Sequence, residues 1–286
     1  MTLSALLGTA RKSLRAAGVA NPDVEAETII SHVLGLKRSE IYLDPGRVLT
    51  GPEEGRILEI VGRRAGRFPL QYLLGRIEFM GLPFEIKQGV FIPRPETEIL
   101  VETVIGRGRR LPAPLAVLDI ATGSGAIAIS LAKYLKPEWV VATDISPEAI
   151  ELARENARAN DVETRIAFVV GDRLGFLKRR FNIVVCNPPY IAADEIDELQ
   201  PEVRDFEPRL ALDGGPDGLR FIAGVLTEIP SILDVGSIVA FEIGSHQAAS
   251  AVALFEGAGL GKIEILKDLA GRDRIVIGVK LTEQTE

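Results

Sequence analysis

Cysteine is almost absent from this chain of 286 residues, which carries one, Cys186. A single thiol excludes an intrachain disulfide and fits a reducing compartment. Lying in an apolar run, it is expected to be a small core residue. Long apolar runs are also missing, since none approaches the roughly 20 residues that span a bilayer. Thr2, Ser4, Gly8 and Thr9 interrupt the first residues, so no secretory signal is expected, and the chain reads as cytoplasmic with no membrane partner. Histidine is scarce. His32 and His246 lie away from every motif loop, and no metal site is expected. Net positive charge is lacking too: a net charge of -7 and a pI near 5.2 oppose broad phosphate neutralisation, so no direct nucleic-acid substrate is expected. Local basic clusters do occur at Arg63, Arg64 and Arg67, at Arg107, Arg109 and Arg110, and at Lys178 to Arg180; each reads first as solvated surface.

Hydrophobic residues make up 47% of the chain, enough for one large or two modest domains. From Leu3 to about Arg67 the pattern is helical, with starts at Asn21-Pro22-Asp23, Ser39 and Thr50 and a stop at Gly35. Short amphipathic helices cannot bury their stripes alone, so a small bundle over residues 1–75 is predicted. Ile77, Phe79, Leu82, Phe84 and Ile86, with Gly81 and Gly89, predict a β-hairpin in a linker over 76–95. Pro95, Glu96 and Glu98 then open a helix to about Ile105, and Gly106 to Pro114 reads as a polar linker.

Over 96–286 strands and helices alternate. Strands are predicted at Leu115–Ile120, Trp139–Asp144, Arg165–Val170, Phe181–Asn187, Ser237–Ile243, Lys262–Leu266 and Arg274–Lys280. Helices are predicted at Gly125–Lys133, Ser146–Asn160, Gly218–Leu233 and His246–Ala258. The pattern predicts an α/β, Rossmann-like fold with a mostly parallel seven-stranded sheet. Only Lys267 to Asp273 separate the last two strands, too few for a crossover helix, so these should pair antiparallel.

Two loops at strand ends carry chemistry. Ala121, Thr122, Gly123, Ser124 and Gly125 join a strand to a helix, and the glycines let backbone approach a ligand at the helix N-terminus. Asp144 closes the next strand about 20 residues on, where a carboxylate takes two ribose hydroxyls. Both features fit NAD and S-adenosylmethionine alike. Asp172, after the third strand, is placed to accept from an adenine amino group or to cap a turn. The second loop is Asn187, Pro188, Pro189 and Tyr190. Its prolines have no N–H and hold the backbone extended. The Asn187 side-chain oxygen and the Pro188 carbonyl can thus accept both hydrogens of a planar NH2 group while the Tyr190 ring packs on its face. Such acceptors favour the pyramidal, increasingly positive nitrogen of a transition state over its flat ground state. The loop has no role in hydride transfer, and an antiparallel final pair departs from the all-parallel dinucleotide sheet. Together these features favour a methyltransferase.

At these residues the chain resembles class I S-adenosylmethionine-dependent methyltransferases and, more closely, the release factor glutamine methyltransferase (HemK/PrmC) family. The likeness extends over Pro69 to Tyr72, Phe91 to Glu98, Asp119 to Gly125, Asn187 to Tyr190, Glu207-Pro208, Asp217 to Leu219, Glu242 to Gly244 with Gln247, and Asp268 with Gly271 and Arg274. The resemblance implies the cofactor S-adenosylmethionine and, as partners, class I peptide-chain release factors, methylated on the glutamine nitrogen of their Gly-Gly-Gln loop by direct in-line displacement. It implies that Ala121 to Gly125, Asp144, Asp172 and Asn187 hold the cofactor. Asn187 to Tyr190 hold the glutamine, with Asn187, Pro188 and Tyr190 at the reacting centre and Phe91 and Pro93 lining the pocket. Residues 1–75 are expected to dock the release factor through basic side chains. Ala121 stands where the family usually has glycine, a change expected to be harmless if φ there is negative. The alternatives are a ribosomal-protein glutamine or adenine N6 of nucleic acid.

Overall fold

The computed structural model describes residues 1–172, 174, 177 and 179–281. In chain order these form α1 (Leu3–Ala16), α2 (Pro22–Leu34), α3 (Gly51–Ala65), α4 (Leu70–Leu74), the hairpin β1 (Arg76–Phe79) and β2 (Leu82–Glu85), α5 (Pro95–Gly108), β3 (Ala116–Ile120), α6 (Ala126–Tyr134), β4 (Trp139–Asp144), α7 (Pro147–Ala159), β5 (Ile166–Val170), β6 (Phe181–Cys186), α8 (Pro201–Arg204), α9 (Arg220–Glu228), β7 (Leu233–Glu242), α10 (Ala248–Gly257), β8 (Leu260–Lys267) and β9 (Asp273–Lys280). Two compact units result. One holds residues 1–76 with 200–206, the other 77–199 with 207–286.

The first unit is helical because its stripes are. Leu3, Leu6, Leu7, Ala10 and Leu14 of α1 recur at helical spacing and are buried with Ile29 and Ile30 of α2 and Ile57, Ile60 and Val61 of α3. Thr50 starts α3 through a capping box: its hydroxyl accepts from Glu53 N and Glu53 accepts from Thr50 N at 2.8 Å. Asn21 occupies the cap of α2 without a side-chain bond, because its backbone (φ -124°, ψ 62°) lies outside the extended range.

The short segment 200–206 belongs to this unit although it follows β6 in sequence. Glu202 accepts from Arg64 Nη2 at 2.8 Å and also from Arg67. Glu25 holds the other edge of Arg64 at 2.5 Å, and the Phe68 and Phe206 rings meet edge-on at 5.0 Å. The expectation of a solvated cluster at Arg63, Arg64 and Arg67 is therefore corrected: Arg64 is buried and Arg67 paired, and only Arg63 is exposed, stacked over Phe68. A guanidinium out of water is stable only with its carboxylates in place. Lys178 of the third cluster lies outside the described residues.

In the second unit the sheet order is β5-β4-β3-β6-β7-β9-β8, with β3 to β7 parallel and β9 the one strand that runs against its neighbours. The predicted helix over Gly218–Leu233 is shorter than expected. It stops at Glu228, a 3-10 turn follows, and Leu233 already opens β7; Pro230 at the junction cannot donate to a continuing helix. Conversely α5 runs on to Gly108, into the predicted linker. The hairpin is held to α7 by Asn156, fully buried, which accepts from Glu85 N at 2.7 Å and donates to Glu85 O at 3.1 Å.

Strand alternation sorts the core into two faces. Leu118, Ile120, Val184, Cys186, Val239 and Phe241 pack under α9 and α10, where the Phe241 and Phe255 rings meet at 5.5 Å. Cys186 is thus a core residue with no exposure, its thiol pushed well up by burial. The intervening positions Asp119, Val185 and Ala240 face the opposite layer, where α5 lies against β6 and β7 and α6 lies against β3 and β4. That parity decides what the loops beyond each strand can reach.

Glu202→Ala leaves Arg64 buried with one carboxylate. The first unit should lose about 2 kcal/mol, somewhat below the cost of breaking a fully buried pair, and amide exchange over 200–206 should rise by at least the corresponding factor. Unchanged exchange there would show that the ion pairs do not hold the segment.

Candidate active site

The strand order reverses between β3 and β6, since the chain moves outward from β3 through β4 to β5 and then returns to the other side of β3 as β6. Ligands of open α/β sheets bind beyond the carboxyl ends of the strands at such a switch point. The registers Ile120↔Thr143, Ile120↔Cys186 and Cys186↔Phe241 place the ends of β3, β4, β6 and β7 at one level. The loops that leave them converge for that reason.

After β3 the chain turns through Ala121 to Gly125. Thr122 N donates to Thr143 O and Gly125 N to Thr122 O, both at 2.9 Å. Gly125 has φ 84°, and a Cβ there would lie 2.9 Å from Ile129 Cδ1 and 3.0 Å from Ala153 Cβ, so any side chain would be both strained and crowded. Ala121 has φ 56°, contrary to the expected negative φ. The turn must be left-handed there to close, and an alanine in that region costs about 1–2 kcal/mol. Ser124 O accepts from Asn156 Nδ2 at 3.0 Å, tying the turn to α7.

Asp144 ends β4 and accepts from Gly123 N at 2.8 Å and Ser146 N at 2.9 Å. A carboxylate has about four acceptor sites; the backbone N–H of Ile145 also reaches this one, and the lone pairs left over can take a ribose hydroxyl. Gly123 itself, φ 57°, has no atom within 4 Å of the place a Cβ would occupy, and its backbone is open to a ligand. Asp119, one turn back, is fully buried. Its Oδ2 accepts from Thr122 Oγ1 and Ala128 N, and its Oδ1 has no partner. Burial pushes its pKa up to about 7 against the pull of those hydrogen bonds, and burial raises Asp144 as well. Two carboxylates short of counter-charge suit a cationic ligand such as a sulfonium amino acid. S-adenosylmethionine fits this donor set. Asp172 is exposed at the end of β5, two strands from β3.

After β6 the chain presents Asn187, Pro188, Pro189 and Tyr190, with both prolines buried and the polar residues half-buried. By alternation Asn187 falls on the Val185 side and Glu242, ending β7, on the Ala240 side, so both face α5. There they meet Thr97. Asn187 Nδ2 donates to Thr97 Oγ1 at 3.1 Å, Thr97 Oγ1 donates to Glu242 Oε2 at 2.7 Å, and Tyr190 OH donates to Glu242 Oε1 at 3.0 Å. Burial raises the pKa of Glu242 and raises that of Tyr190 strongly. The Tyr190 carbonyl accepts from Gln247 Nε2 at 2.8 Å, and Gln247 Oε1 accepts from Gly244 N at 2.8 Å. Gly218 passes so close that a Cβ would lie 2.2 Å from Tyr190 O. Phe91 stands apart from this network among the contacts described, its ring under the Arg94 guanidinium at 4.8 Å, while Arg94 pairs with buried Glu207.

The structure thus gathers Ala121 to Gly125 and Asp144 around one turn and Asn187 to Tyr190 around a second. Thr97, Asp119, Asn156 and Gln247 were not read as site residues from sequence. For Thr97 and Glu242 a signal existed: the register of β6 on β7 sets Asn187 beside Glu242, and a threonine in the first turn of α5 lies on the same face.

An open sheet with one reversed strand, a glycine turn answered by a carboxylate, and an acceptor loop after the fourth parallel strand define a Rossmann-like methyltransferase. Comparison with known proteins agrees. Residues 5–75 match the PrmC N-terminal domain and residues 94–202 the methyltransferase small domain. The release factor glutamine methyltransferase of Moorella thermoacetica is 41% identical, covering 99% of this chain and 100% of the relative; that of Caulobacter vibrioides is 38% identical, covering 98% and 97%. A methyltransferase of Pyrococcus furiosus shares the fold at a TM-score of 0.55 and 18% identity, covering 82% of this chain and 100% of that one. The chain belongs to the release factor glutamine methyltransferase family, whose members use S-adenosylmethionine.

Asp119 yields a pH test. Its pKa in the folded chain lies above the ordinary 3.8, so the folded state holds this proton more tightly than the unfolded one. Its contribution is therefore most favourable below that value and is lost as pH rises through about 7. Denaturation of Asp119→Asn should show a stability gain over the parent that grows from about pH 4 to about pH 8; a constant difference would place the ionised carboxylate in a better-solvated site.

Proposed function

We propose that this chain methylates the side-chain nitrogen of the glutamine in the Gly-Gly-Gln loop of class I peptide-chain release factors. Support comes from the family and from the Asn187 to Tyr190 loop, whose acceptors match a planar NH2. When bound, S-adenosylmethionine supplies a methyl group on a sulfonium, open to direct in-line displacement. The protein's part is to position and polarise the attacking amide. Its nitrogen lone pair is delocalised into the carbonyl, and Asn187 Oδ1 and Pro188 O, drawing on its two N–H bonds, favour the pyramidal nitrogen that becomes positive as the new bond forms. The Tyr190 ring, anchored through its hydroxyl to Glu242, closes over the amide plane. A nitrogen so alkylated is a strong acid and loses its proton to water, so no strong base is needed. Ala121 to Gly125, Asp144, Asp172 and Asn187 hold the cofactor, and Phe91 borders the substrate.

Release factor docking is assigned to residues 1–75. Arg64 and Arg67 are paired internally, so the docking surface is instead the loop after α2, where Leu43 and Val48 are 81% and 74% exposed. The single buried thiol and the proposed substrate support a cytoplasmic setting. Among the described residues no helix is long and apolar enough to cross a membrane.

Labelled cofactor offered with whole release factor, the same factor with its loop glutamine replaced, a ribosomal protein, or DNA should label the first alone. Asn187→Ala should lower kcat about 100-fold, as loss of one oriented transition-state partner does elsewhere. Labelling of the glutamine-free factor or of DNA would reject the substrate.

Leu43→Asp with Val48→Asp should raise KM for whole release factor about tenfold, in the range of interface side chains worth over 1 kcal/mol, with turnover of a short loop peptide unchanged. Equal KM on the whole factor would move docking to another surface.

A further inference from the structure

The amide of Asn187 can sit in its slot either way round, because its two ends have nearly the same shape. One orientation offers a substrate NH2 an acceptor, and the other confronts it with a second NH2. Nothing within the loop decides between them. Resting on the function proposed above, we infer that Glu242, acting through Thr97, sets this orientation, so that both are positioning residues that keep Asn187 Oδ1 turned toward the substrate.

An ionised carboxylate accepts only, and a threonine hydroxyl has one hydrogen to give. Glu242 takes the Tyr190 hydrogen on Oε1 at 3.0 Å and the Thr97 hydrogen on Oε2 at 2.7 Å. Thr97 then has only lone pairs left for Asn187, 3.1 Å away, and must be met by the amide nitrogen. Reversing Asn187 would set its oxygen against the threonine lone pairs. Thr97 and Glu242 are 3% and 1% exposed, so water is not at hand to relieve that clash. Burial, with Glu96 nearby, raises the Glu242 pKa, and the two hydroxyls and Arg274 pull the other way, toward the carboxylate that accepts from both. The same carboxylate orients the Tyr190 hydroxyl. One buried charge therefore sets both polar side chains of the loop, and it does so from a neighbouring strand through a helix N-terminal turn.

The variants are read in the full-length enzyme. Thr97→Val removes the lone pairs and Glu242→Gln gives Thr97 a partner that can donate, so either should lower kcat about tenfold or more, with KM for S-adenosylmethionine changed less than about threefold. Thr97→Ser should restore kcat to within about threefold. The two lesions break one relay, so the double variant should be no slower than the slower single. In the free wild-type enzyme, nitrogen-15 NMR should show one Asn187 side-chain N–H protected from exchange, with protection kept in Thr97→Ser and lost in Thr97→Val. Full kcat in Thr97→Val, multiplied losses in the double variant, or an unprotected wild-type Asn187 amide would each overturn the relay. Wild-type turnover on the release factor is measured first: its absence would reject the proposed substrate, and the amide signal, which needs no substrate, would still decide the relay.

Discussion

A carboxylate taken out of water must be surrounded by hydrogens, and Glu242 at the end of β7 meets this need with two hydroxyls and no backbone donor among the bonds described. Those hydroxyls belong to Thr97, in the first turn of α5, and Tyr190, in the loop after β6. The charge therefore couples three elements distant in sequence. Burial alone would push Glu242 toward neutrality; the hydroxyls and the nearby Arg274 oppose this, and the geometry of the acceptor loop is the outcome of that balance.

Strand parity is what allows one carboxylate to do this. Asn187 and Glu242 project toward α5 because Val185 and Ala240 before them do, while Cys186 and Phe241 point into the core beneath α9 and α10. A slip of one residue between β6 and β7 would turn one of the pair into the apolar layer. The glycine turn after β3 depends on the same rule: Asp119 faces α6, where Ala128 N and Thr122 Oγ1 reach it.

Much of this was legible in the residues. The alternation of apolar runs with helical stripes specified seven strands, the short Lys267 to Asp273 connection specified their antiparallel end, and Pro188 and Pro189 marked the loop. What was hidden arises from contacts between distant residues. The pairing of Glu202 with Arg64 across 138 positions draws 200–206 into the helical unit, and no local pattern announces it. Pro230 is visible in sequence, yet the helical stripe ahead of it, Ile222, Val225 and Leu226, masked the early end of α9. The left-handed Ala121 had one sign, the glycine usual at that place in the family, but alanine itself concealed it; the conformation accompanies Thr122 N reaching Thr143 O on the adjacent strand.

The proposed chemistry depends on two oxygens gripping one flat nitrogen, and a crystal structure of the enzyme with S-adenosylhomocysteine and a release factor loop would show whether they do. Asn187 Oδ1 and Pro188 O should both lie within hydrogen-bonding distance of the same glutamine nitrogen, with that nitrogen facing the sulfur. A glutamine whose nitrogen turns away from both oxygens would contradict it.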